Sequence, residues 1–329
     1  MKPVAAGIVL GAVLDLALGD PSRGHPVAGF GRAAGALEHR LYAPSRTRGV
    51  ALAALCVGST VGLGQVAQRL VRPRGTSLTV LVALSVWAVL GGASLVRAAE
   101  RVALALGRGD VGLARVELSH LCGRDPDGLG SDELARASVE SVAENTSDAV
   151  VAPLLWGAVA GIPGLLGYRA VNTLDAMVGY RSRRYERFGW ASARLDDAVN
   201  WVPARVTAAL TVALAPLVGG DATGAWRVWR RDGARHPSPN AGRCEAAFAG
   251  ALGLRLGGRN TYGGHVEDRP TLGDGRAPTG ADIRRAVMLS RLVGGAAAIA
   301  SAVLATALHS TPTRSPTCRD QAISHALSR

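Results

Sequence analysis

The sequence predicts an all-α, polytopic membrane protein with four to six transmembrane helices, and three observations support this fold class. Nearly half of the 329 residues (48%) are apolar, and the mean hydropathy is positive at +0.18. Several apolar stretches approach the roughly 20 residues that a helix needs to cross a bilayer. Glycine is abundant, with 42 copies, as is common in membrane helices whose backbones pack closely.

Six segments are predicted to enter the membrane, but two of them are irregular. Segment 149–168 is uncharged but contains Pro153 and Pro163, so its helix should kink or break. Segment 202–220 has a short apolar run interrupted by Pro216, which is more typical of a buried or re-entrant helix than of a span. The predicted membrane segments are residues 3–19, 49–68, 77–96, 149–168, 202–220 and 286–308.

The number of crossings decides whether the polar motifs can share one site. If all six segments cross, the polar residues on either side of 149–168 lie on opposite faces of the membrane. If 149–168 and 202–220 enter and return, residues 97–285 all share one face, and we favour this four-span alternative. That face holds most of the arginines, so the positive-inside rule makes it cytoplasmic.

Charge and cysteine content narrow the function classes further. The formal net charge is +12, which favours anionic lipids or anionic small molecules as partners. Nucleic acid is not expected, because the arginines are dispersed between apolar segments without an aromatic-interleaved basic patch. The spacing of the four cysteines indicates neither a disulfide framework nor a zinc site. Residues 1–309 are predicted to form one integral membrane domain, followed by a polar, disordered tail at 310–329.

Acidic side chains recur beside asparagines at the edges of the apolar segments. In the first group, Glu140, Glu144 and Asp148 are spaced i, i+4, i+8 and fall on one helix face next to Asn145. Like charges at this spacing repel unless a cation offsets them. The cation could be Mg²⁺, which proteins usually bind through one or two carboxylates plus substrate phosphates. The alternative is an ion pair between Glu140 and Arg136.

A second group follows segment 149–168. Asn172 and Asp175 share a helix face at i, i+3, and Arg181 and Arg184 come shortly after them. Arginines in this setting are candidate clamps for phosphate or carboxylate. Binding of lipid head groups is the alternative.

Two further sets of polar residues flank membrane segments. Segment 202–220 is preceded by Asp196, Asp197 and Asn200. These residues are candidates for metal ligands or a base, and the alternative is that they cap the N-terminus of the following helix. His25 and Arg32 follow the first segment, where His25 is either an acid–base group or a structural hydrogen-bonding residue.

The region 233–280 is rich in Gly, Pro and Asn, which predicts loops whose backbone N–H groups can bind anions. HPSPNAG at 236–242, which includes Asn240, supplies turns, and LGGRNTYGG at 256–264 is predicted to be a glycine-rich loop. The chain contains no GxxxxGK[ST], GxGxxG, GxSxG or HExxH motif. Any nucleotide must therefore bind outside these common motifs.

Taken in order, these strings resemble the CobD/CbiB family of cobalamin biosynthesis across most of residues 10–285. The resemblance is carried by LDLALGDPSRGHPVAGFGR, GRDPDGL, SVESVAENTSDAVVAPL, YRAVNTLDAMVGYRSRRYERFGWASARLDDAVNWVPARVTA, SPNAGRCEAAFAGALGLRLGGRNTYGG and RPTLGDG. It implies an adenosylcobinamide-phosphate synthase in the cell membrane. Such an enzyme uses ATP to join the carboxylate of adenosylcobyric acid to the amine of (R)-1-amino-2-propanol O-phosphate or of free aminopropanol.

The resemblance also implies Mg²⁺, ATP as cosubstrate, a cobalt-containing corrinoid substrate, and contact with membrane lipid and with other late cobalamin-assembly enzymes. With it, we expect Glu144, Asp175 and Asp197 to be catalytic, and Glu140, Glu144, Asp148 and Asp196 to bind metal. The expected substrate-binding residues are His25, Arg32, Asn145, Asn172, Arg181, Arg184, Asn200 and Asn240.

Two other functions are compatible with parts of the sequence. A corrinoid or cobalt transporter would place acidic residues near the bilayer midplane, in glycine- and proline-broken helices. A membrane transferase acting on a lipid diphosphate would carry repeated DxxxD-type motifs on two helices. Neither alternative accounts for the ordered set of matching strings.

Overall fold

The computed structural model describes residues 2–20, 25–71, 74–180, 182–262 and 265–309, and it confirms the predicted all-α membrane fold class. The predicted tail at 310–329 lies outside these ranges. The described α-helices are α1 (Pro3–Leu18), α2 (Pro26–Leu41), α3 (Arg46–Val71), α4 (Gly75–Val89), α5 (Gly92–Gly107), α6 (Val111–Ser119), α7 (Ser131–Thr146), α8 (Ala152–Val178), α9 (Tyr185–Phe188), α10 (Trp190–Val199), α11 (Trp201–Leu214), α12 (Ala222–Asp232), α13 (Ala241–Leu252) and α14 (Gly280–Leu308). A π-helical turn at Ser147–Val151 joins α7 to α8, and a 3-10 turn at Ala215–Val218 extends α11.

Within the described ranges, five helical stretches are long and apolar enough to cross a membrane. They are Arg46–Val71, Gly75–Gly107, Ser131–Val178, Trp201–Val218 and Gly280–Leu308, and the shorter α1 is also apolar. Large apolar side chains stay exposed on their outer faces, among them Leu63 and Leu70 on α3 and Ile299 and Val303 on α14. Such a surface is unusual for a protein surrounded by water and suits helices that face lipid.

The helical stretch Ser131–Val178 reverses direction within its apolar part. Gly161 has φ +66° and ψ −146°, a conformation that side-chain-bearing residues rarely adopt, and Pro163 opens the returning arm. The Tyr168 hydroxyl donates to the backbone carbonyl of Asp148 at 2.9 Å, whereas that much continuous helix would separate them by roughly 30 Å. The break predicted in segment 149–168 is therefore a re-entrant helical hairpin.

The tip of this hairpin packs against α3, where the Gln68 side chain accepts a hydrogen bond from the Ile162 backbone N–H at 2.8 Å. The open ends of both arms lie on the same side of the molecule, as expected if segment 149–168 enters the membrane and returns. The end of α14 also lies near the tip, where His309 Nε2 is 3.1 Å from the Ala158 carbonyl. The end of α11 lies instead at the start of α14, where Arg285 donates to the Gly219 carbonyl.

A main core forms where α1, α4, α5, α7, α8, α13 and α14 pack together, with Val86, Val142 and Phe248 fully buried. Asp15, the acid inside the first apolar segment, accepts a hydrogen bond from the Ala93 backbone N–H at 3.1 Å. This contact satisfies Oδ2 of the buried carboxylate at the first turn of α5, whereas Oδ1 is buried without a hydrogen-bond partner among the described residues.

Residues that follow α13 form an antiparallel hairpin of two strands, β1 (Leu256–Tyr262) and β2 (His265–Leu272). The prediction of a glycine-rich loop at 256–264 was therefore wrong. Gly257 and Gly258 have φ +83° and +92° and produce an irregularity in the strand register. Here glycine permits a bulge within a strand rather than a loop.

Candidate functional site

The three acid–amide groups of the sequence meet at the open end of the α8 hairpin. Asp148, at the π-helical turn, interacts electrostatically with Glu144 on α7, Asp175 on the returning arm of α8, and Asp196 on α10. Asp197 is also close enough to act on Asp175 and Asp196. The reversal at the hairpin tip brings these side chains together, and we refer to these five acids as the acid site.

Hydrogen bonds fix the relative positions of the helices at this site. Besides the Asp148 carbonyl, the Tyr168 hydroxyl contacts Asn200 Oδ1 at 2.9 Å, which ties the hairpin to the junction of α10 and α11. Asn200 is buried at that junction. The π-helical turn that carries Asp148 is a rare distortion found often at functional sites.

The acid site concentrates negative charge in a partly buried volume. Glu144, Asp148, Asp175 and Asp196 are each half-buried, so they remain within reach of a small ligand. Burial raises the pKa of Asp196 to about 6; the neighbouring Asn200 and Asn172 amides counteract this effect, and the Asp197 and Glu144 charges add to it. Several carboxylates at close range favour a bound cation or protonation of one member.

The donor set suits Mg²⁺ bound together with a phosphate group. Within the described ranges, no three His, Cys, Asp or Glu side chains lie close enough to hold a metal by themselves. Hard carboxylate oxygens are nevertheless the ligands Mg²⁺ prefers, and one or two of them suffice when phosphate and water complete the shell. Oδ1 of Asp196 is buried without a hydrogen-bond partner in the described part of the chain, so it remains available as a ligand.

Glu140 lies outside this arrangement, although the sequence predicted it as a metal ligand. Its carboxylate accepts hydrogen bonds from Arg124 at 2.5 Å, from Arg136 at 3.4 Å and from the Gly257 backbone N–H at 2.7 Å. Glu140 is only 3% exposed. Its charge is thus neutralised by two arginines, so the alternative ion pair with Arg136 is present and a metal-binding role does not fit.

Three predicted residues at or near the acid site, Asn145, Asn240 and Asp197, have partners within the protein. Asn145 donates to the Ser141 carbonyl on its own helix at 2.9 Å. Asn240 donates to the Asp197 carbonyl at 2.8 Å and so fastens the loop before α13 to the end of α10. The Asp197 carboxylate pairs with Arg194 at 3.5 Å.

His25 and Arg32 line a shallow, mostly apolar pocket of about 630 Å³ between α2 and the returning arm of α8. Thr173 and Met177 form its other wall. His25 also caps α2, because its Nδ1 accepts a hydrogen bond from the Val27 backbone N–H at 3.2 Å. The structural alternative for this histidine is therefore present in addition to its place at the pocket.

Arg184 is held away from the acids by other partners. Its guanidinium pairs with Glu38 at 3.0 Å and lies 4.1 Å from the centre of the Tyr42 ring. The Tyr185 hydroxyl donates to the same Glu38 carboxylate at 2.9 Å. The predicted phosphate contact of Arg184 would have to displace this network, and Arg181 lies outside the described residues.

Two groups near the acids were missed from the sequence. Arg169 approaches Asn172 Oδ1 at 3.4 Å and interacts electrostatically with Asp148. The string YRAVNTLD contains the signal, since Arg169 and Asn172 are three residues apart on one helix face.

The second missed group surrounds Glu245 on α13. Burial raises the pKa of Glu245 well above its ordinary value, and the Glu140 and Glu144 charges add to this. His236 Nε2 lies 4.0 Å from the Glu245 carboxylate, and burial, with a smaller effect from Arg269, lowers the pKa of His236 to about 4. No sequence motif links these residues, because the packing of α13 against α7 and β2 brings them together.

Comparison with known proteins assigns the chain to a family. The model of the family described as CobD/Cbib protein matches residues 8–290. A cobalamin biosynthesis protein CobD from Mycobacterium tuberculosis is 56% identical over 300 residues, covering 91% of this chain and 95% of the relative. CobD from Geobacter metallireducens is 48% identical over 89% of this chain and 93% of the relative, and CobD from Rhodobacter capsulatus is 42% identical over 87% and 93%. No solved structure matches.

Proposed function

The chain belongs to the CobD/CbiB family and has a role in cobalamin biosynthesis, and we propose that it is the ATP-dependent ligase that makes adenosylcobinamide phosphate. It joins the propionate carboxylate of adenosylcobyric acid to the amine of (R)-1-amino-2-propanol O-phosphate. The enzyme acts in the cell membrane with the acid site facing the cytoplasm.

The observation that carries this proposal is the convergence of Glu144, Asp148, Asp175 and Asp196 from separate helices at one partly accessible site. Amide formation from a carboxylate needs activation, most simply by transfer of the ATP γ-phosphoryl group to a carboxylate oxygen. ATP and the substrate carboxylate are both anionic, so their binding at an acid site requires cations. When bound to these acids, Mg²⁺ would neutralise phosphate charge and align the phosphoryl group for transfer.

The chain's own residues would then act on the bound substrates. The carboxylate of adenosylcobyric acid attacks the γ-phosphorus and ADP leaves, which gives an acyl phosphate. The amine attacks the acyl carbon, inorganic phosphate leaves and the amide forms. The ammonium form of the amine must first lose a proton, and Asp175 or Asp197 at the rim of the site is suited to accept it.

The surroundings of the acids suit a reactive acyl phosphate. The residues next to the acids on both arms of the hairpin, Val150, Val151 and Leu174, are buried and apolar. Apolar surroundings limit the entry of water, which would otherwise hydrolyse the activated acid. Arg169 beside Asn172 supplies a positive charge for an entering anion.

The test is direct. Purified protein in detergent is incubated with adenosylcobyric acid, ATP and Mg²⁺, and with either aminopropanol phosphate or free aminopropanol, and mass spectrometry looks for the amide and for ADP. We expect amide with at least one amine, and at least 100-fold less with Asp175→Asn. Glu186→Gln is the matched control, because Glu186 is exposed on α9. Absence of amide with both amines, together with corrinoid uptake into vesicles, would overturn the proposal in favour of a transporter.

A further inference from the structure

The β-hairpin brings a positive charge to the acid site from outside the apolar helices. Among the described residues, the arginines that act electrostatically on Glu144 are Arg269 and Arg124. The Arg124 side chain is 4% exposed and bound to Glu140 at 2.5 Å. The Arg269 side chain is 20% exposed, and its guanidinium pairs at 3.5 Å with Glu267, which is itself 54% exposed. Arg269 is therefore the one of the two that a ligand can reach.

The hairpin is fastened to α7 one helical turn before Glu144. Glu140 accepts a hydrogen bond from the Gly257 N–H at 2.7 Å, and Arg136 donates to the Gly257 carbonyl and, at 2.9 Å, to Asn260 Oδ1. A Cβ at Gly257 would lie 2.1 Å from the Pro270 carbonyl oxygen, so only glycine allows the strands to meet this closely. The contacts of Glu140 thus determine where β2 lies relative to Glu144.

The strand register then directs Arg269 toward the helices. Arg269 lies opposite Gly258 in the paired strands, which leaves room beside its side chain. Neighbouring residues alternate between the two faces of a strand, and Asp268 is 75% exposed whereas Arg269 is 20% exposed. The strand thus directs Arg269 inward, within electrostatic range of Glu144.

Three polar side chains lie within electrostatic range of this guanidinium. Besides Glu144, Arg269 acts electrostatically on Glu245 and on His236. A guanidinium has five N–H donors in a planar fork that matches two oxygens of a phosphate group. Arg269 could therefore hold a phosphate group beside Glu144.

We propose that Arg269 binds a phosphoryl group of a substrate at the acid site, and that the Glu140–Arg136 anchor of the β-hairpin positions it there. This assignment rests on the proposed ligation, in which two substrates carry phosphate: ATP and the aminopropanol ester. The chemistry recognised is a phosphate monoester or the terminal phosphate of a triphosphate. Arg269 thus takes the role that the sequence predicted for Arg184. The Arg184 guanidinium pairs with Glu38 at 3.0 Å, whereas the pair between Arg269 and Glu267 is longer, at 3.5 Å.

Equilibrium binding by calorimetry tests this without requiring turnover. The detergent-purified full chain is titrated with ATP–Mg²⁺, with aminopropanol phosphate and with free aminopropanol, as wild type and as Arg269→Ala, Arg269→Lys and Arg259→Ala. Arg259 is the matched control, because it lies on the partner strand, is 76% exposed and pairs with Asp268. We expect Arg269→Ala to weaken one phosphorylated ligand at least tenfold, Arg269→Lys to restore part of the affinity, and Arg259→Ala to stay within twofold of wild type.

The ligand that weakens identifies the source of the phosphate: ATP if the nucleotide is affected, or the amine substrate if its ester is affected while free aminopropanol is not. Unchanged affinity for both phosphorylated ligands would overturn the assignment. Equal weakening of free aminopropanol would also overturn it, because that result indicates a structural role. If Arg269→Ala does not fold, Arg269→Lys against Arg259→Lys gives the same comparison. If Arg269→Ala selectively loses binding of a phosphorylated ligand but the wild-type protein makes no amide, the result contradicts the proposed ligation and supports the phosphate site at Arg269.

Discussion

Replacing Glu140 by glutamine separates a structural role from metal binding at this position. The substitution keeps the shape of the side chain but removes the charge that Arg124 and Arg136 share. Arg124, 5% exposed, would then be a buried cation that has lost its ion pair with Glu140. Removal of one partner of a buried ion pair costs about 3–5 kcal/mol.

That cost predicts a large change in stability. At roughly 2 °C per kcal/mol for a chain of this size, the thermal midpoint of Glu140→Gln should fall by about 6–10 °C. The matched control is Glu117→Gln, since Glu117 pairs with the half-exposed Arg101 at 2.6 Å. A surface pair of this kind contributes about 0–1 kcal/mol, so the control should melt within roughly 2 °C of wild type.

The assay is thermal unfolding in detergent followed by intrinsic tryptophan fluorescence, combined with ATP–Mg²⁺ binding at a temperature where both variants are folded. The double variant Arg124→Met/Glu140→Met should recover only part of the lost stability. It removes the buried Arg124 charge, but the Gly257 N–H and Arg136 still lose their contact with Glu140. A Glu140→Gln protein that melts like wild type but no longer binds ATP–Mg²⁺ would refute the structural role and favour the metal ligand.

Three further predictions follow from the site and its supports. Gly161→Ala should destabilise the protein by about 2–3 kcal/mol, because φ is +66° and a Cβ would lie 2.3 Å from Gln68 Oε1; Gly58→Ala, with open space around it, should be neutral in the same melting experiment. His236 has a pKa of about 4 against an ordinary value of 6.5, so it stays neutral in the folded protein while the unfolded chain takes up a proton. About 3 kcal/mol of stability is therefore lost as the pH falls from 6.5 to 4. Unfolding measured across this range should show a smaller loss of stability for His236→Asn than for wild type, and equal losses would contradict the assignment. Asp196→Asn should lower the rate of ligation at least tenfold with little change in melting temperature, whereas a variant as active as wild type would remove Asp196 from the site.

The sequence predicted the acids of the site better than it predicted their partners. The sequence singled out Glu144, Asp148, Asp175 and Asp196 because a carboxylate beside an apolar segment needs a reason to be there. The structure brings these four acids together. Whether these acids lie close together depends on the turn at the tip of the α8 hairpin. The prolines of segment 149–168 predicted a break in the helix but not the angle between its two arms. The positive φ of Gly161 sets that angle. A glycine in a sequence does not show which φ it will adopt.

Residues with distant partners could not be assigned from local patterns. Arg184 followed Asn172 and Asp175 closely enough to suggest a shared site, yet its partner Glu38 lies far away in the sequence. Arg269 had no neighbouring motif and reaches Glu144 through a strand in a region whose Gly and Pro content predicted loops. Pairing of strands and packing of helices decide such contacts, and neither has a short-range signal.

The central claim is that a carboxylate is activated by ATP and captured by an amine, and oxygen transfer tests it most directly. Adenosylcobyric acid labelled with ¹⁸O in its propionate carboxylate is incubated with the purified protein, ATP, Mg²⁺ and aminopropanol phosphate, and the released inorganic phosphate is examined by mass spectrometry. Activation through an acyl phosphate predicts one ¹⁸O atom in the phosphate for each amide formed. Amide formation with only unlabelled phosphate, or no amide at all, would contradict the account.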